Sequence, residues 1–256
     1  MRVLLAVLLS CILSLNLFFY SDDIYGYSAG FRNESSIKET YTDSLKQLGY
    51  YKSEFKDEQL NYRNAVLHFQ SDSNITADGV AGKEFRTALI NRLQHGKTVQ
   101  YKDFVNTSAS SKLWITVNKS NRILTVYWNK KAIKKYPVAL GRTDFVTPEG
   151  RFNVKVKVVN PEWSGGGYTE PRDGGSKDNP LGYRWLGLNI GNKNKYGIHG
   201  NNNPYSIGKN VSRGCIRMLN LDVEELYGYV KKGTPVWIGS DKALKKWGVY
   251  QKSFVE

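Results

Sequence analysis

The spacing of apolar residues changes period near residue 110, and that change constrains the fold more than any single motif. Before it, Tyr41, Leu45 and Leu48 recur at i, i+4 and i+7 up to Gly49. Tyr62, Ala65, Val66 and Phe69 form a second stripe, and Phe85, Ala88, Leu89 and Leu93 a third. Such stripes predict three short amphipathic helices, with "NITADGVAG" at 74–82 as the turn between the second and third. Beyond "NTSASS" at 106–111 the period becomes two: Leu113, Ile115 and Val117 alternate with Trp114 and Thr116, and "NKSN" turns the chain into 123–128 as a hairpin. Val154, Val156 and Val158 alternate with Lys155 and Lys157, a strand with one buried and one charged face, and Val236 and Ile238 mark a later strand. Helical signal there is mostly confined to "DVEELYGYV" at 222–230, with Asp222 expected as N-cap and Glu225 closing a capping box. With 256 residues and 40% hydrophobic content the chain is large enough for one large or two modest cores. The expected fold is a small three-helix module followed by a mainly β domain.

The first twenty residues set the compartment. "MRVLLAVLLSCILSLNLFFYSDD" carries one positive charge, an apolar run and then two aspartates, the pattern of an export signal or an uncleaved membrane anchor. "LLSC" at 8–11 is also a lipoprotein-like box that would place a lipid on Cys11. The remainder is therefore expected outside the membrane, anchored or secreted, with 21–34 as a polar tether. Of the two cysteines only Cys215 lies beyond residue 11, so no intrachain disulfide is available there. A lone thiol in an oxidising compartment is either buried or used. The formal charge of +14 favours anionic surroundings. Its basic residues are scattered in pairs such as Lys130-Lys131, without a recognition-helix or zinc-finger pattern, so nucleic acid is not expected as a partner.

Cys215 sits in "NVSRGCIRMLN", and a thiol that acts as a nucleophile needs a base or a positive field beside it. Of three histidines, His68 and His95 fall in the helical region as surface or packing residues, whereas His199, in "YGIHGNNNP", precedes Cys215 in the β domain. Its imidazole is the candidate base. Gly214 permits close backbone approach, and its amide and that of Cys215 are candidate oxyanion donors. Arg217 is read either as a holder of a substrate carboxylate or as a structural pin of the loop, and Arg213 either as a field lowering the thiol pKa or as a solvent-facing charge. One cysteine and one histidine fall short of a three-ligand metal site, so neither metal nor cofactor is expected. "SGGGYTEPRDGGSKDNP" at 164–180 reads as a long, mobile insertion.

Two resemblances complete the picture. "SLKQLGYYKSEF...YRNAVLHFQSDSNITADGVAGKEFRTAL" resembles the peptidoglycan-binding module of cell-wall enzymes, on Leu45, Leu48, Gly49, Tyr50, Ala65, Val66, Phe69, Gln70, Asp78, Gly79 and Gly82; "KDEQLN" at 56–61 departs from its usual acidic-glycine loop. "IHGNNNPYSIGKNVSRGCIRMLNLDVEELYGYVKKGTPVWI", with "VALGRTDFVTPEGRFNV" and "NPLGYRWLGLN" upstream, resembles the catalytic domain of the L,D-transpeptidase (YkuD-type) family. The resemblance implies a β-sandwich in which Cys215 is the acylated nucleophile, His199 the general base, and Ser212, Gly214 and Arg217 the site floor. Where the family commonly has a second histidine this chain has Arg213. The implied activity is 3→3 cross-linking of peptidoglycan stem peptides through a Cys thioester with release of terminal D-Ala. An L,D-carboxypeptidase or endopeptidase on the same Cys/His pair, a non-catalytic wall-binding protein and a sortase-like enzyme stand as alternatives. Domain boundaries follow: 1–20 signal or anchor, 21–34 tether, 35–96 peptidoglycan-binding-like module, 97–110 linker, 111–239 catalytic domain and 240–256 C-terminal tail. Expected partners are stem peptides as donor and acceptor, wall polymer through 35–96, and the membrane through the N-terminal segment.

Overall fold

A computed structural model describes residues 34–95, 101–167, 169–191 and 195–254. The N-terminal signal or anchor, Cys11 and the tether up to residue 33 lie outside the described residues. Among the described residues no helix is long and apolar enough to cross a membrane.

The three expected helices are α1 (Glu34–Gln47), α2 (Glu58–Asp72) and α3 (Lys83–His95). The Asp57 side chain caps α2 by accepting from the amides of Gln59 and Leu60 at 2.9 and 3.2 Å. Their apolar stripes meet in one core of Tyr41, Leu45, Val66, Phe69, Phe85 and Leu89, with the Phe69 and Phe85 rings edge to face at 5.2 Å. Gln70 fixes the turn before α3, accepting from the amides of Asp78 and Gly79 and donating to Asp78 Oδ1 and the Val80 carbonyl. The Gln and Asp-Gly positions of the wall-module pattern are therefore a turn clamp in this chain.

The β region holds β1 (Asp103–Val105), β2 (Leu113–Asn118), β3 (Ile123–Trp128), β4 (Lys131–Pro137), β5 (Leu140–Gly141), β6 (Gly150–Val159), β7 (Arg184–Leu188), β8 (Gly197–His199), β9 (Asn210–Ser212), β10 (Ile216–Arg217), β11 (Pro235–Gly239) and β12 (Val249–Gln251). Helices α4 (Asn220–Tyr229) and α5 (Asp241–Lys246) complete it. Eight strands form one sheet in the order β10-β8-β7-β6-β11-β2-β3-β4. β2 and β3 are the expected hairpin, paired from Leu113↔Trp128 to Asn118↔Ile123. The expected sandwich takes the form of this single sheet, which curls until its edges meet: Ala139, just past β4, exchanges two 2.9 Å backbone hydrogen bonds with Arg217 of β10. Enclosed by the curl is a core drawn from nearly every strand, including Ile115, Val126, Val154, Leu186, Ile198, Ile216 and Ile238, with Val223 and Leu226 of α4 covering one end.

Two local expectations change. Helix α4 begins at Asn220, with Leu219 as N-cap and no side-chain cap, so Asp222 does not cap it. Asp222 lies in the first turn instead, turned toward α2, its Oδ2 3.5 Å from His68 Nε2. The second concerns 97–110 and 240–256, expected as linker and tail. β1 and β12, one from each, pair as an antiparallel ribbon, and α5 lies between β11 and β12. A buried polar network secures that ribbon: Lys135 Nζ lies 2.8 Å and Tyr127 Oη 2.6 Å from Asp103 Oδ2, while Gln251 Nε2 donates to Thr125 and Tyr127. Asn74, from the helical module, donates to Asp103 Oδ1 at 2.8 Å. Helical module and sheet thus converge on the Asp103 carboxylate of the linker, and the C-terminal segment joins the network through Gln251 and Tyr127.

Candidate active site

Strand register explains why the site residues share a surface. In the parallel pair β8–β10, Ile198 lies beside Ile216 and His199 beside Arg217. Both isoleucines are buried in the core, so alternation turns their neighbours His199 and Arg217 to the other face, and Cys215, two residues before Arg217, joins them. On the adjoining strand Trp185 pairs with His199, and the two rings stack at 5.5 Å and 27°. The indole needs a bed without side chains: a Cβ on Gly197 would stand 2.7 Å from the Trp185 ring. The loop before Cys215 turns at Gly214, whose φ of +105° is a glycine conformation and whose missing Cβ would meet the Tyr196 ring at 2.7 Å.

His199 is 3% exposed, and its Nδ1 lies 2.7 Å from the Gly200 carbonyl. Because a carbonyl only accepts, Nδ1 carries the proton and Nε2 the lone pair. Burial, with the Arg217 guanidinium adding to it, pulls the His199 pKa down to about 3. Burial also pushes the Cys215 thiol up, against smaller lowering by the Gly197 backbone and Arg217. Both groups therefore rest neutral, as a thiol and an imidazole. Sγ donates to the Lys195 carbonyl at 3.4 Å rather than to the imidazole.

Ser212 and Gly214 lie beside Cys215 in the same loop. The buried Ser212 hydroxyl donates to the Cys215 carbonyl at 2.6 Å and accepts from the Gly214 amide at 3.1 Å. The Gly214 amide is thus occupied within the loop. Arg217 is desolvated, and its Nε is buried without a hydrogen-bond partner among the described residues. The Arg217 guanidinium lowers the thiol pKa, and both Arg217 and Arg213 line the cleft. His68 and His95 stay outside the site, His68 beside Asp222 and His95 with Nδ1 2.8 Å from the Asn91 carbonyl of its own helix.

These groups open onto a cleft of about 1010 Å³. One wall is Trp163 together with Ser164, Gly165, Gly166 and Thr169 of the segment 164–180, expected to be a flexible insertion. That segment is held: Trp163 and Arg172 exchange backbone hydrogen bonds of 3.0 and 2.8 Å, and the Asn179 amide donates to the carbonyls of Pro161 and Asp173. Sequence reasoning assigned no role to Trp185, Tyr196, Glu162 or Lys195, all of which line the cleft. An aromatic in an alternating run looks like core, which concealed Trp185. Among the described residues no group of three His, Cys, Asp or Glu side chains is arranged to hold a metal ion.

The sequence profile of the YkuD L,D-transpeptidase catalytic domain matches residues 112–238, which include Cys215 and His199. YqjB of Bacillus subtilis (strain 168), which carries the L,D-transpeptidase name, is 40% identical over 146 residues, covering 56% of this chain and 81% of that protein. The chain belongs to the L,D-transpeptidase family. YkuD of the same organism, similarly named, is 43% identical over 124 residues, which is 48% of this chain and 64% of that relative's length. Among solved structures, an L,D-transpeptidase from Stackebrandtia nassauensis is 22% identical with a TM-score of 0.45, covering 84% of this chain and 95% of its own. The helical module lies outside the profile match.

Proposed function

We propose that this protein is a peptidoglycan L,D-transpeptidase that forms 3→3 cross-links through a thioester on Cys215. The observation that supports the reading is that Cys215, His199 and Arg217 line one cleft, with His199 beside Arg217 in the β8–β10 register. Nε2 of His199 takes the Sγ proton as sulfur attacks the carbonyl of the diamino acid at stem position three. The C–S bond forms, the peptide C–N bond breaks, and terminal D-Ala leaves with the proton from the imidazolium. An amine on a neighbouring stem then attacks the thioester, and the thiolate leaves. Low proton affinity in the resting imidazole opposes a standing ion pair, and attraction between the nascent thiolate and imidazolium offsets part of that cost during attack. Arg217, a half-buried cation with a buried Nε that has no hydrogen-bond partner among the described residues, is suited to hold a stem carboxylate or to steady the developing thiolate. Ser212 and Gly214 act as the floor that holds Cys215 in place, and Arg213 contributes basic surface at the mouth.

The same chemistry with water in place of the amine gives an L,D-carboxypeptidase or endopeptidase. Residues 164–180, through the wall they supply, govern which acceptor enters. In this proposal residues 111–239 are the catalytic domain, 35–96 meet the wall polymer, and 1–20 export or anchor the enzyme outside the membrane.

Incubation of the protein with purified tetrapeptide-stem muropeptides, with products resolved by mass, tests the reading. Dimers lacking one D-Ala, together with free D-Ala, are expected. Tripeptide stems without dimers would make it a hydrolase, and unchanged substrate would remove the enzymatic reading.

A further inference from the structure

The proposed reaction leaves the acidic side chain of the cleft without a task. Four cations line it, Arg142, Lys195, Arg213 and Arg217, against a single acid among the described residues, Glu162. An anionic donor stem suits the cations. The acceptor brings the opposite charge, because a primary amine with a pKa of about 10 enters as an ammonium at neutral pH. In a cleft this basic, an ammonium is repelled unless a carboxylate receives it.

We propose that Glu162, together with Trp163, forms the acceptor subsite and binds the primary ammonium of the incoming stem. This rests on the transpeptidase reading above. Three observations carry it. Glu162 is exposed and has no hydrogen-bond or ion-pair partner among the described residues, although four cations share its cleft. Its place on the wall is fixed from both sides: Asn179 Nδ2 holds the Pro161 carbonyl at 2.7 Å, and the Trp163 backbone is bridged to Arg172. Trp163 also lines the cleft, and an indole beside a carboxylate is a recognised receptor for an alkylammonium, through its ring face and the ion pair together.

The bound ammonium loses one proton to solvent, to which Glu162 is open. The second passes to His199 Nε2 as the amine nitrogen attacks the thioester carbonyl. The C–N bond forms, the C–S bond breaks, and the imidazolium proton returns to the Cys215 sulfur. Glu162 thus favours an amine over water for deacylation without taking part in acylation, which precedes acceptor entry.

The test uses the full chain, its Glu162→Gln and Glu162→Asp variants, and a tetrapeptide-stem muropeptide as both donor and acceptor. Acyl-adduct formation and the ratio of cross-linked to hydrolysed product are followed by mass across acceptor concentration. In Glu162→Gln the acceptor concentration for half-maximal cross-linking should rise about fivefold, the worth of one partly solvated ion pair, and hydrolysis should take the larger share. Glu162→Asp, which keeps the charge, should lie closer to the parent. An unchanged ratio and half-maximal concentration in Glu162→Gln, with the adduct still formed, would overturn the acceptor subsite alone. Absence of the adduct from the parent protein would overturn the acyl-transfer reading and this proposal with it.

Discussion

His199 titrates far below a free imidazole because it is buried beside a guanidinium, and that sets its kinetic signature. With the imidazole pKa near 3 and the thiol pushed up by burial, the neutral pair is the resting form across the neutral range. If proton transfer within this pair accompanies attack, kcat/KM should stay flat from about pH 5 to about pH 8. A rise of about tenfold per pH unit would mean that preformed thiolate attacks without a base, and a fall below about pH 6.5 would mean an ordinary, solvated imidazole. Cys215 and His199 could be singled out in the sequence because the β domain offers few groups of their kind. The loop role of Ser212 and Gly214 could not, since it depends on which way one hydroxyl points.

At the scale of elements, the connection from His199 to β9 is gripped by α2 of the helical module. Arg63 Nη2 donates to the Ile207 carbonyl at 2.6 Å and to the Asp78 carbonyl at 3.1 Å. Tyr205 Oη donates to Asp57 Oδ2 at 2.6 Å, and Ile207 packs with Leu67 and Ala77. Arg63→Ala would leave two carbonyls without their donor, and should cost about 1–3 kcal/mol in urea unfolding. It should also slow acylation, with Arg63→Lys recovering part of both losses. An unchanged acylation rate would show that the module does not hold the site loop in place. The helices and the longer strands were legible because their apolar periods run long enough to register. Strands β5, β9 and β10, two or three residues each, are too short to show alternation, and the β8–β10 pairing that assembles the site is set by the curl of the sheet.

For the whole molecule, segments expected as connectors prove structural. Lys135 and Asp103 form an ion pair with side chains 0% and 1% exposed, joining the β1–β12 ribbon to the sheet while Asn74 brings in the helical module. Asp103→Ala should destabilise the protein by about 3–5 kcal/mol in urea unfolding, because Lys135 would be left buried and unpaired; replacing both by apolar residues should recover most of that loss. Such coupling was invisible in a sequence where 97–110 and 240–256 carry little periodic signal. It also means that the acyl-transfer claim is best tested on the full chain. The most direct measurement is the intact mass of the protein after incubation with a tetrapeptide-stem muropeptide. The account predicts an adduct equal to the donor minus D-Ala, lost in Cys215→Ala and formed much more slowly in His199→Gln. An adduct that persists in Cys215→Ala would contradict it.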